Sequence, residues 1–516
     1  MTHETRSATP KASRKVSILG ATLSLLIPAA IGGCGDSSSK PTTPPITVTV
    51  GAMLPTTGPN ANSDWISAVD LAVTHVSNAI KASKIKQPIT FTVEEKDVAS
   101  DETMAFNAMG AYSTDGAKIV ITEASNAAIG SNKWNYTQID NAAAGMTANA
   151  PMPVISFTAT SASLHAMSMD PVPARKEAFE DAAHWFYRTC PISNNLSAIR
   201  LNQVFGGLGG NHGDLNNDGI VKVVWIGSLD TSTQSSINGD IKAVNTYLTA
   251  NPLPTGLTFI SENVSFDPGT DTTSFDYTPY IAKATDNLDA MGNPDAFPDL
   301  IINKALPNIA IPFIKAYKQN PANTYNIFQD GSFRRNTLLV ALGAAADGQV
   351  GVSNIAYMGD ASGTLFATEQ SAKTGYLPAA YESQGYDAMV LALFAVVKAS
   401  IDNRTAITDP TTNMVDPNLL TPDMVHAALD QLNTPGADAP FYAGTTEFKN
   451  AIDALEDAKT VNYNGASGNV DFDAKGDTRD YATLWKIESA QFKEKQYFDC
   501  VTDNTCASVG TILPTK

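Results

Sequence analysis

The sequence predicts an α/β protein with two lobes in series, each built around a parallel central sheet. Short apolar runs typical of strands alternate with helical apolar patterns from Ile46 to Phe157. This alternation is typical of a parallel sheet covered by helices on both faces. The same alternation starts again at Val221. The chain has 516 residues, which is more than a single hydrophobic core usually serves.

In the first unit, strands are predicted where short apolar runs end in turn residues, and helices where apolar residues recur at steps of three and four. Asn62 or Ser63 is the predicted N-cap of the first helix, and Ser100 that of the second. The third predicted helix covers residues 132–147. The predicted strands are Ile46–Leu54, Ile89–Val93, Lys118–Thr122 and Val154–Phe157.

The second unit repeats this order. Thr421 and Pro422, later in the chain, have the pattern of an N-cap followed by the first helical residue. The predicted helices lie near Ile237–Leu248, Tyr280–Ala284, Ile309–Tyr317 and Ala388–Ser400, and from Thr421 onward. The predicted strands are Val221–Ile226, Leu257–Ile260, Leu300–Ile302, Tyr325–Phe328 and, near the end of the chain, Thr483–Ile487.

Residues 1–33 have the features of an export signal. A basic start precedes an apolar stretch, Val16–Ile31, that is too short and too interrupted for a membrane span. Ile31-Gly32-Gly33-Cys34 resembles the bacterial lipobox, which predicts lipidation of Cys34 and a lipid anchor in the periplasm or at the cell surface. A Ser/Pro/Thr-rich tether follows in residues 34–45. The alternative is a plain secretory signal in which Cys34 has no role.

The net charge indicates which partners to expect, and the cysteines indicate which disulfides and metals to expect. The formal net charge is −18, and an acidic surface repels phosphate groups, so no nucleic acid is expected as a partner. In an exported protein, Cys500 and Cys506 are candidates for a disulfide that closes a small loop, and Cys190 would then be a buried thiol. No CxxC pair or His/Cys cluster in the sequence predicts zinc.

Six segments share a pattern that occurs, in this order, in one known family. They are residues 51–59 (GAMLP to TGP), 154–160 (VISFTAT), 185–189 (WFYRT), 328–331 (FQDG) with Gly343 to Gly348, 385–389 (GYDAM), and 463–477. Together they resemble the type I periplasmic solute-binding proteins of the leucine/isoleucine/valine-binding family across residues 46–500.

The resemblance implies two Rossmann-like lobes joined by a hinge that the chain crosses three times, near residues 188, 355 and 470. The first lobe would then contain residues 46–187 and 356–469. The second lobe would contain residues 188–355 and 470–516. In such open parallel sheets, ligands bind outside the carboxyl ends of the strands, which here means the gap between the lobes.

The resemblance also implies a set of ligand-binding residues. Ser125 and Thr160 match positions that offer hydroxyl or amide donors to a ligand carboxylate. The backbone carbonyl of Thr158 matches one that receives the ligand ammonium. Asp330 falls where amino-acid-binding members place an acidic residue to pair that ammonium. Tyr381 matches a position whose aromatic ring lines the pocket for the ligand side chain.

Each of these five residues also has a purely structural interpretation. Ser125 is a candidate helix cap, and Thr158 and Thr160 can be ordinary loop residues. Asp330 stands before a glycine and suits a turn. Tyr381 can be part of the core.

The chain departs from the family pattern at two pocket positions. Asp230-Thr231-Ser232-Thr233 stands where the second lobe usually has a Tyr-Gly pair. Ala305-Leu306 stands where an aromatic residue often follows the next strand. The loss of two rings argues against a leucine-like preference for the ligand side chain.

Asp214, Asn216 and Asp218, followed by Gly219, resemble the first half of an EF-hand calcium loop. Trp225 stands where that loop has its bidentate Glu, so the alternative to a calcium site is a polar Asx-turn loop. No other cofactor is expected. The sequence contains no GxSxG elbow, HExxH pair or P-loop, so we do not expect an enzyme.

Together these features predict a monomeric, lipid-anchored protein that captures an amino acid or a related small polar solute and delivers it to an ABC importer. The permease and ATPase subunits would be separate partner chains. The first alternative is a ligand-sensing input protein for a signalling partner, and the second is a secreted hydrolase.

Overall fold

The structure is a computed structural model. It describes residues 44–510 except 59, 193–195, 198, 201–204, 206–210, 230, 270, 289–294, 324–326, 434–435, 479 and 502–504. The predicted signal peptide, the lipidation site Cys34 and residues 34–43 of the tether therefore lie outside the described residues, as does Asp230.

The first central sheet has five parallel strands in the order β2-β1-β3-β4-β5. Its side chains alternate between two apolar layers, because successive residues of a strand point to opposite faces. Ile119 and Ile121 belong to one core, and Val120 belongs to the other. The strands are β1 (Ile46–Met53), β2 (Ile89–Lys96), β3 (Val120–Thr122), β4 (Val154–Ser156) and β5 (Phe186–Arg188).

Helices cover both faces of this sheet. Helix α1 (Ser63–Ala82) begins at the predicted cap, since the Asn62 side chain accepts a hydrogen bond from the Asp64 backbone N–H at 3.0 Å. Three shorter helices follow, α2 (Glu102–Thr114), α3 (Ser125–Ala143) and α4 (Pro173–Glu180). The third helix begins seven residues before the predicted residue 132, because its first turn is rich in small residues and carries little apolar periodicity.

The second sheet has eight strands in the order β16-β15-β14-β10-β9-β8-β6-β7. Strands β6 to β10 are parallel, which agrees with the parallel sheet predicted for this unit, although no strand was predicted at β10. They are β6 (Ile220–Ser228), β7 (Thr258–Phe266), β8 (Leu300–Asn303), β9 (Ile327–Gln329) and β10 (Val350–Asn354). The helices that follow them are α5 (Thr231–Ala250), α6 (Thr278–Thr285), α7 (Pro307–Gln319) and α8 (Asn336–Leu342).

Three antiparallel strands complete this sheet, where the sequence predicts one. They are β14 (Asp480–Glu488), β15 (Gln491–Val501) and β16 (Thr505–Gly510). The turn between β14 and β15 places Ser489 and Ala490 at φ 53° and 55°. Such turns normally carry Asn-Gly or Asp-Gly, so this one has no recognisable sequence signal. Cys500 and Cys506 are direct cross-strand partners in the backbone register, which is compatible with the predicted disulfide.

The intervening chain returns to the first lobe and completes its core. The helices are α9 (Ala361–Thr374), α10 (Glu382–Asp402), α11 (Pro422–Leu429) and α12 (Thr445–Glu456). A three-stranded sheet is formed by β11 (Ala439–Tyr442), β12 (Val461–Gly465) and β13 (Gly468–Asn469). Among the described residues, helix α10 alone is long and apolar enough to cross a membrane, and here it packs in the core of the first lobe beside α1.

The chain passes between the two sheets three times, after β5, after β10 and after β13. The first and third passages are joined by a buried ion pair, in which Arg188 Nη2 donates to Asp477 Oδ2 at 2.9 Å. His165 Nδ1 lies 3.0 Å from Asp477 Oδ1. Burial works to raise the pKa of Asp477, but His165 and Arg188 hold it at about 2. Near the second passage, the rings of Tyr357 and Tyr481 stack at 3.9 Å. The lobe boundaries given above remain a prediction.

Candidate functional site between the two sheets

A polar cavity lies where the carboxyl ends of both sheets face each other. About 90 Å³ of it can be reached by the centre of a water molecule. One bound water occupies only roughly 10–15 Å³, so the cavity has room for a small solute in place of several waters. From the first sheet and its helices it is lined by Asn60, Trp65, Ala124, Ser125, Thr158, Thr160, Ser161 and Tyr381. From the second it is lined by Thr233, Ser236, Lys304, Leu306, Asp330, Ser332 and Arg335.

All five residues that the family resemblance singled out line this one cavity: Ser125, Thr158, Thr160, Asp330 and Tyr381. They come from four separate segments of the chain. Parallel strands bring these segments together, since Ser125 follows β3, the two threonines follow β4 and Asp330 follows β9. Whether each of them contacts a ligand remains a prediction.

The hydroxyl groups on the first-lobe side are held by backbone amides. Thr158 Oγ1 accepts a hydrogen bond from Ala124 N at 2.6 Å, and Ser125 Oγ accepts one from Ser161 N at 3.2 Å. Ala124, the N-cap of α3, has no side-chain cap, so Ser125 does not act as the cap of that helix. A hydroxyl that accepts such a bond still has its own hydrogen to donate.

The backbone carbonyl of Thr158, which the resemblance assigns to a ligand ammonium, accepts a hydrogen bond from Thr160 N at 3.0 Å. This bond closes a tight turn directly after β4 and carries Thr160 into the cavity. It uses one of the two acceptor positions of that carbonyl oxygen.

Asp330 is already surrounded by cations. Lys304 Nζ lies 2.6 Å from Asp330 Oδ2, and Arg200 Nη1 lies 3.9 Å from the same oxygen. Asp240 completes the group, at 2.7 Å from Arg200 Nη2 and 3.4 Å from Lys304 Nζ. These two cations and two carboxylates balance one another inside the second lobe.

The charges around Asp330 determine its protonation. Burial works to raise the pKa of the Asp330 carboxyl, but Lys304 and Arg200 outweigh burial and lower it below its ordinary value. Asp330 is therefore an ionised carboxylate at neutral pH, and its charge is compensated within the protein. The prediction from sequence included Asp330 but missed Lys304, although a lysine directly after a buried strand was a usable signal.

Arg335 is a second cation of the cavity wall that was not predicted from the sequence. Its guanidinium lies over the Trp65 ring at 4.7 Å from the ring centre, and its Nη1 and Nη2 donate to the backbone carbonyl and side chain of Asn60, both at 3.2 Å. These contacts connect the second lobe to the first across the cavity. Burial lowers the pKa of Arg335 to about 10, so the side chain is charged at neutral pH.

Aromatic and aliphatic groups form the remaining wall. Trp65 and Tyr381 meet edge to face at 6.3 Å, and the Trp65 indole N–H donates to the Ala380 carbonyl at 2.9 Å. Tyr381 is 5% exposed and has a positive φ of 66°. Leu306 and Thr233 line the cavity where the family pattern has aromatic residues, so the two rings are replaced by smaller groups.

Below the first-lobe wall lies a buried acid, Glu123, at the end of β3. Burial raises its pKa to about 7. Ser100 Oγ donates to Glu123 Oε2 at 3.0 Å, and Oε1 has no hydrogen-bond partner among the described residues.

The predicted calcium loop lies within the described residues, and its side-chain oxygens accept hydrogen bonds from backbone N–H groups. Asp214 Oδ2 accepts from Gly219 N at 3.0 Å, Asn216 Oδ1 from Asp218 N at 2.9 Å, and Asp218 Oδ1 from Ile220 N at 2.8 Å. This is the geometry of successive Asx turns, which the sequence analysis left as the alternative. Within residues 44–510, apart from the gaps given above, no group of three or more His, Cys, Asp or Glu side chains is placed to hold a metal. Calcium at this loop remains a prediction.

The structure is similar to solved structures of solute-binding proteins. The leucine-binding protein LivK of Thermotoga maritima has a TM-score of 0.57 and 14% identity, over 87% of this chain and 98% of that one. LivJ of Streptococcus pneumoniae, solved with isoleucine, has a TM-score of 0.55 and 15% identity, over 90% and 100%. A solute-binding protein of an ABC transporter from Rhodopseudomonas palustris, solved with 3,4-dihydroxybenzoic acid, has a TM-score of 0.56 and 15% identity, over 89% and 98%.

These similarities show the fold. The chain has an α/β fold with two central sheets, one parallel and one mainly parallel, as in type I periplasmic binding proteins, and this agrees with the fold predicted from the sequence. No family model matches the sequence, and no curated protein matches it either.

Proposed function

We propose that this chain is an extracytoplasmic solute-binding lipoprotein that captures one small polar solute between its lobes and delivers it to an ABC importer. The observation that carries the proposal is the cavity itself. Polar side chains from the carboxyl ends of two separate sheets converge on one space of small-solute size. Rotation of the lobes about the three passages would open and close this space.

Binding without chemistry is the activity that this arrangement supports. The similar structures are those of transport binding proteins, one solved with an amino acid and another with an aromatic acid. The fold is therefore compatible with either kind of ligand, and the residues of the cavity have to select between them.

Isothermal titration calorimetry of the mature protein with amino acids, organic acids and small sugars tests the proposal. We expect one solute per chain, recovered unchanged after incubation. If any solute is hydrolysed, and if the replacement of a single cavity residue abolishes that hydrolysis, the protein is a hydrolase and the proposal is overturned. Cross-linking in native membranes should capture a permease; capture of a signalling receptor would indicate the sensing alternative.

A further inference from the structure

We propose that the cavity selects a small organic acid that has a carboxylate but no ammonium group. The proposal rests on the solute-binding function proposed above and names its ligand class. It follows from three properties of the cavity wall: its supply of hydrogen-bond donors, the partial occupation of its acceptors by the protein itself, and one guanidinium that has no ion-pair partner among the described residues.

The wall of the first lobe offers donors. The Thr158 and Ser125 hydroxyl oxygens each accept one backbone hydrogen bond, and each hydroxyl keeps its hydrogen to donate to a ligand. Between them begins helix α3, whose first N–H groups have no side-chain cap. The first turn of a helix favours a negative group.

The acceptors that an ammonium would need are partly occupied by the protein itself. The Thr158 carbonyl already accepts one hydrogen bond, from Thr160 N, and Asp330 Oδ2 is paired with Lys304 at 2.6 Å. The Lys304 ammonium stands beside Asp330 in the place that a ligand ammonium would take. A second, ligand-borne ammonium would meet a repelling cation, and burying a charge without a partner is costly.

Arg335 adds a positive charge whose interactions with the Glu123 and Asp64 carboxyls are only long-range. No carboxylate of the described residues forms an ion pair with it, and its Nε has no hydrogen-bond partner there. Of the five guanidinium N–H groups, three bonds go to Asn60 and Ala61. A carboxylate in the cavity would compensate this charge with hydrogen bonds to a charged donor, which are stronger than neutral ones.

Size and polarity complete the description of the ligand. The cavity has room for a small solute, and Trp65, Tyr381 and Leu306 offer it an apolar side. A monocarboxylic acid with one compact apolar or aromatic group fits both conditions. On this inference Asp330 holds Lys304 in position and does not bind a ligand ammonium.

Matched ligands test the inference by calorimetry with the mature protein. Phenylacetate differs from phenylglycine by one ammonium, and isocaproate differs from leucine in the same way. Phenylacetamide and isocaproamide are the neutral counterparts of the two acids. We expect each acid to bind at least about tenfold more tightly than both its ammonium-bearing and its amide counterpart, because one charged hydrogen bond contributes about 1.5–3 kcal/mol.

Variants separate ligand recognition from lobe contact. Arg335→Gln should weaken acid binding roughly ten- to hundredfold more than it weakens amide binding. Equal weakening of acid and amide would mean that Arg335 only holds the lobes together, and this would overturn its assigned role. Arg335→Lys should restore part of the acid affinity. Arg404→Gln is the matched control, because that arginine pairs with Glu456 in the first lobe and is not part of the cavity wall.

The two proposals fail in different ways. If leucine or phenylglycine binds as tightly as its ammonium-free counterpart, the acid selectivity is wrong while the solute-binding function stands. If none of these probes binds, the acid selectivity is also refuted, since they include acids of the size that the cavity admits. The solute-binding function falls only if the wider panel of amino acids, organic acids and sugars gives no binding either.

Discussion

Replacement of Lys304 by methionine tests the charge arrangement of the cavity by removing the cation that is paired with Asp330. The Lys304 side chain is 1% exposed, and its ammonium lies 2.6 Å from Asp330 and 3.4 Å from Asp240. Methionine keeps most of the length of the side chain but removes the charge. Asp330 and Asp240 would then share Arg200 as their remaining close cation, and the lowered pKa of Asp330 would rise.

The loss of folding stability can be worked out from these contacts. Removing one partner of a buried ion pair typically destabilises a protein by about 3–5 kcal/mol. The Asp330 side chain is 19% exposed and Arg200 remains 3.9 Å away, so we expect the lower end, about 3 kcal/mol. This corresponds to roughly a hundredfold loss in the ratio of folded to unfolded protein.

A change in ligand preference should accompany this loss. Without Lys304, Asp330 keeps only the more distant Arg200, at 3.9 Å, as a cationic partner, and a ligand ammonium can take the vacant position. Lys304→Met should therefore bind leucine more tightly, relative to isocaproate, than the wild-type protein does. Urea unfolding measures the stability, and calorimetry with the two ligands measures the preference.

Lys222→Met provides the matched control. Lys222 is also fully buried, with Glu262 and Asp295 both 3.3 Å from its ammonium, but it lies near the beginning of β6, at the end of the sheet away from the cavity. It should lose comparable stability and keep the wild-type preference. Wild-type stability in Lys304→Met, or an unchanged ratio of leucine to isocaproate affinity, would refute the reasoning.

Three further outcomes are expected. Burial raises the pKa of Glu123 to about 7, so the contribution of Glu123 to stability is present below pH 4.5 and is lost as the pH rises through about 7. At pH 8 the free energy of unfolding of Glu123→Gln, measured in urea, should be up to about 3 kcal/mol higher than that of the wild type. Equal stability of the two proteins at pH 8 would contradict this. Cys34→Ser should move the protein from the membrane to the soluble fraction, and continued membrane association would show that the lipobox interpretation is wrong. Alkylation of the denatured mature protein without reductant should label Cys190 but neither Cys500 nor Cys506, whereas labelling of all three would exclude the predicted disulfide.

The sheets could be predicted because their signals are local. The runs that became β1, β2, β6 and β8 are apolar and bounded by turn residues, and helix α1 carries both a cap and regular apolar spacing. The hairpin between β14 and β15 could not be predicted, because its turn uses Ser489 and Ala490. Neither residue type favours a positive φ, so tertiary contacts stabilise that conformation, among them the hydrogen bond that Ala490 N donates to Asp347 Oδ1 at 2.9 Å.

The candidate site, too, could be predicted only in part. Ser125, Thr158, Thr160, Asp330 and Tyr381 could be selected because each stands in a short segment that resembles a known family. The charge state of the site could not be predicted, because it depends on ion pairs between residues that are distant in sequence. Arg200 and Lys304 approach Asp330 from two other segments, and Arg335 reaches Trp65 across the gap between the lobes.

The sequence by itself determined the two-lobed α/β architecture and the edge of each sheet at which polar residues gather, because periodicity and strand ends are properties of neighbouring residues. Only the tertiary structure decided which charges are compensated there. An ion pair depends on a distance of a few ångströms between side chains, and that distance is set by the packing of strands and helices from both halves of the chain.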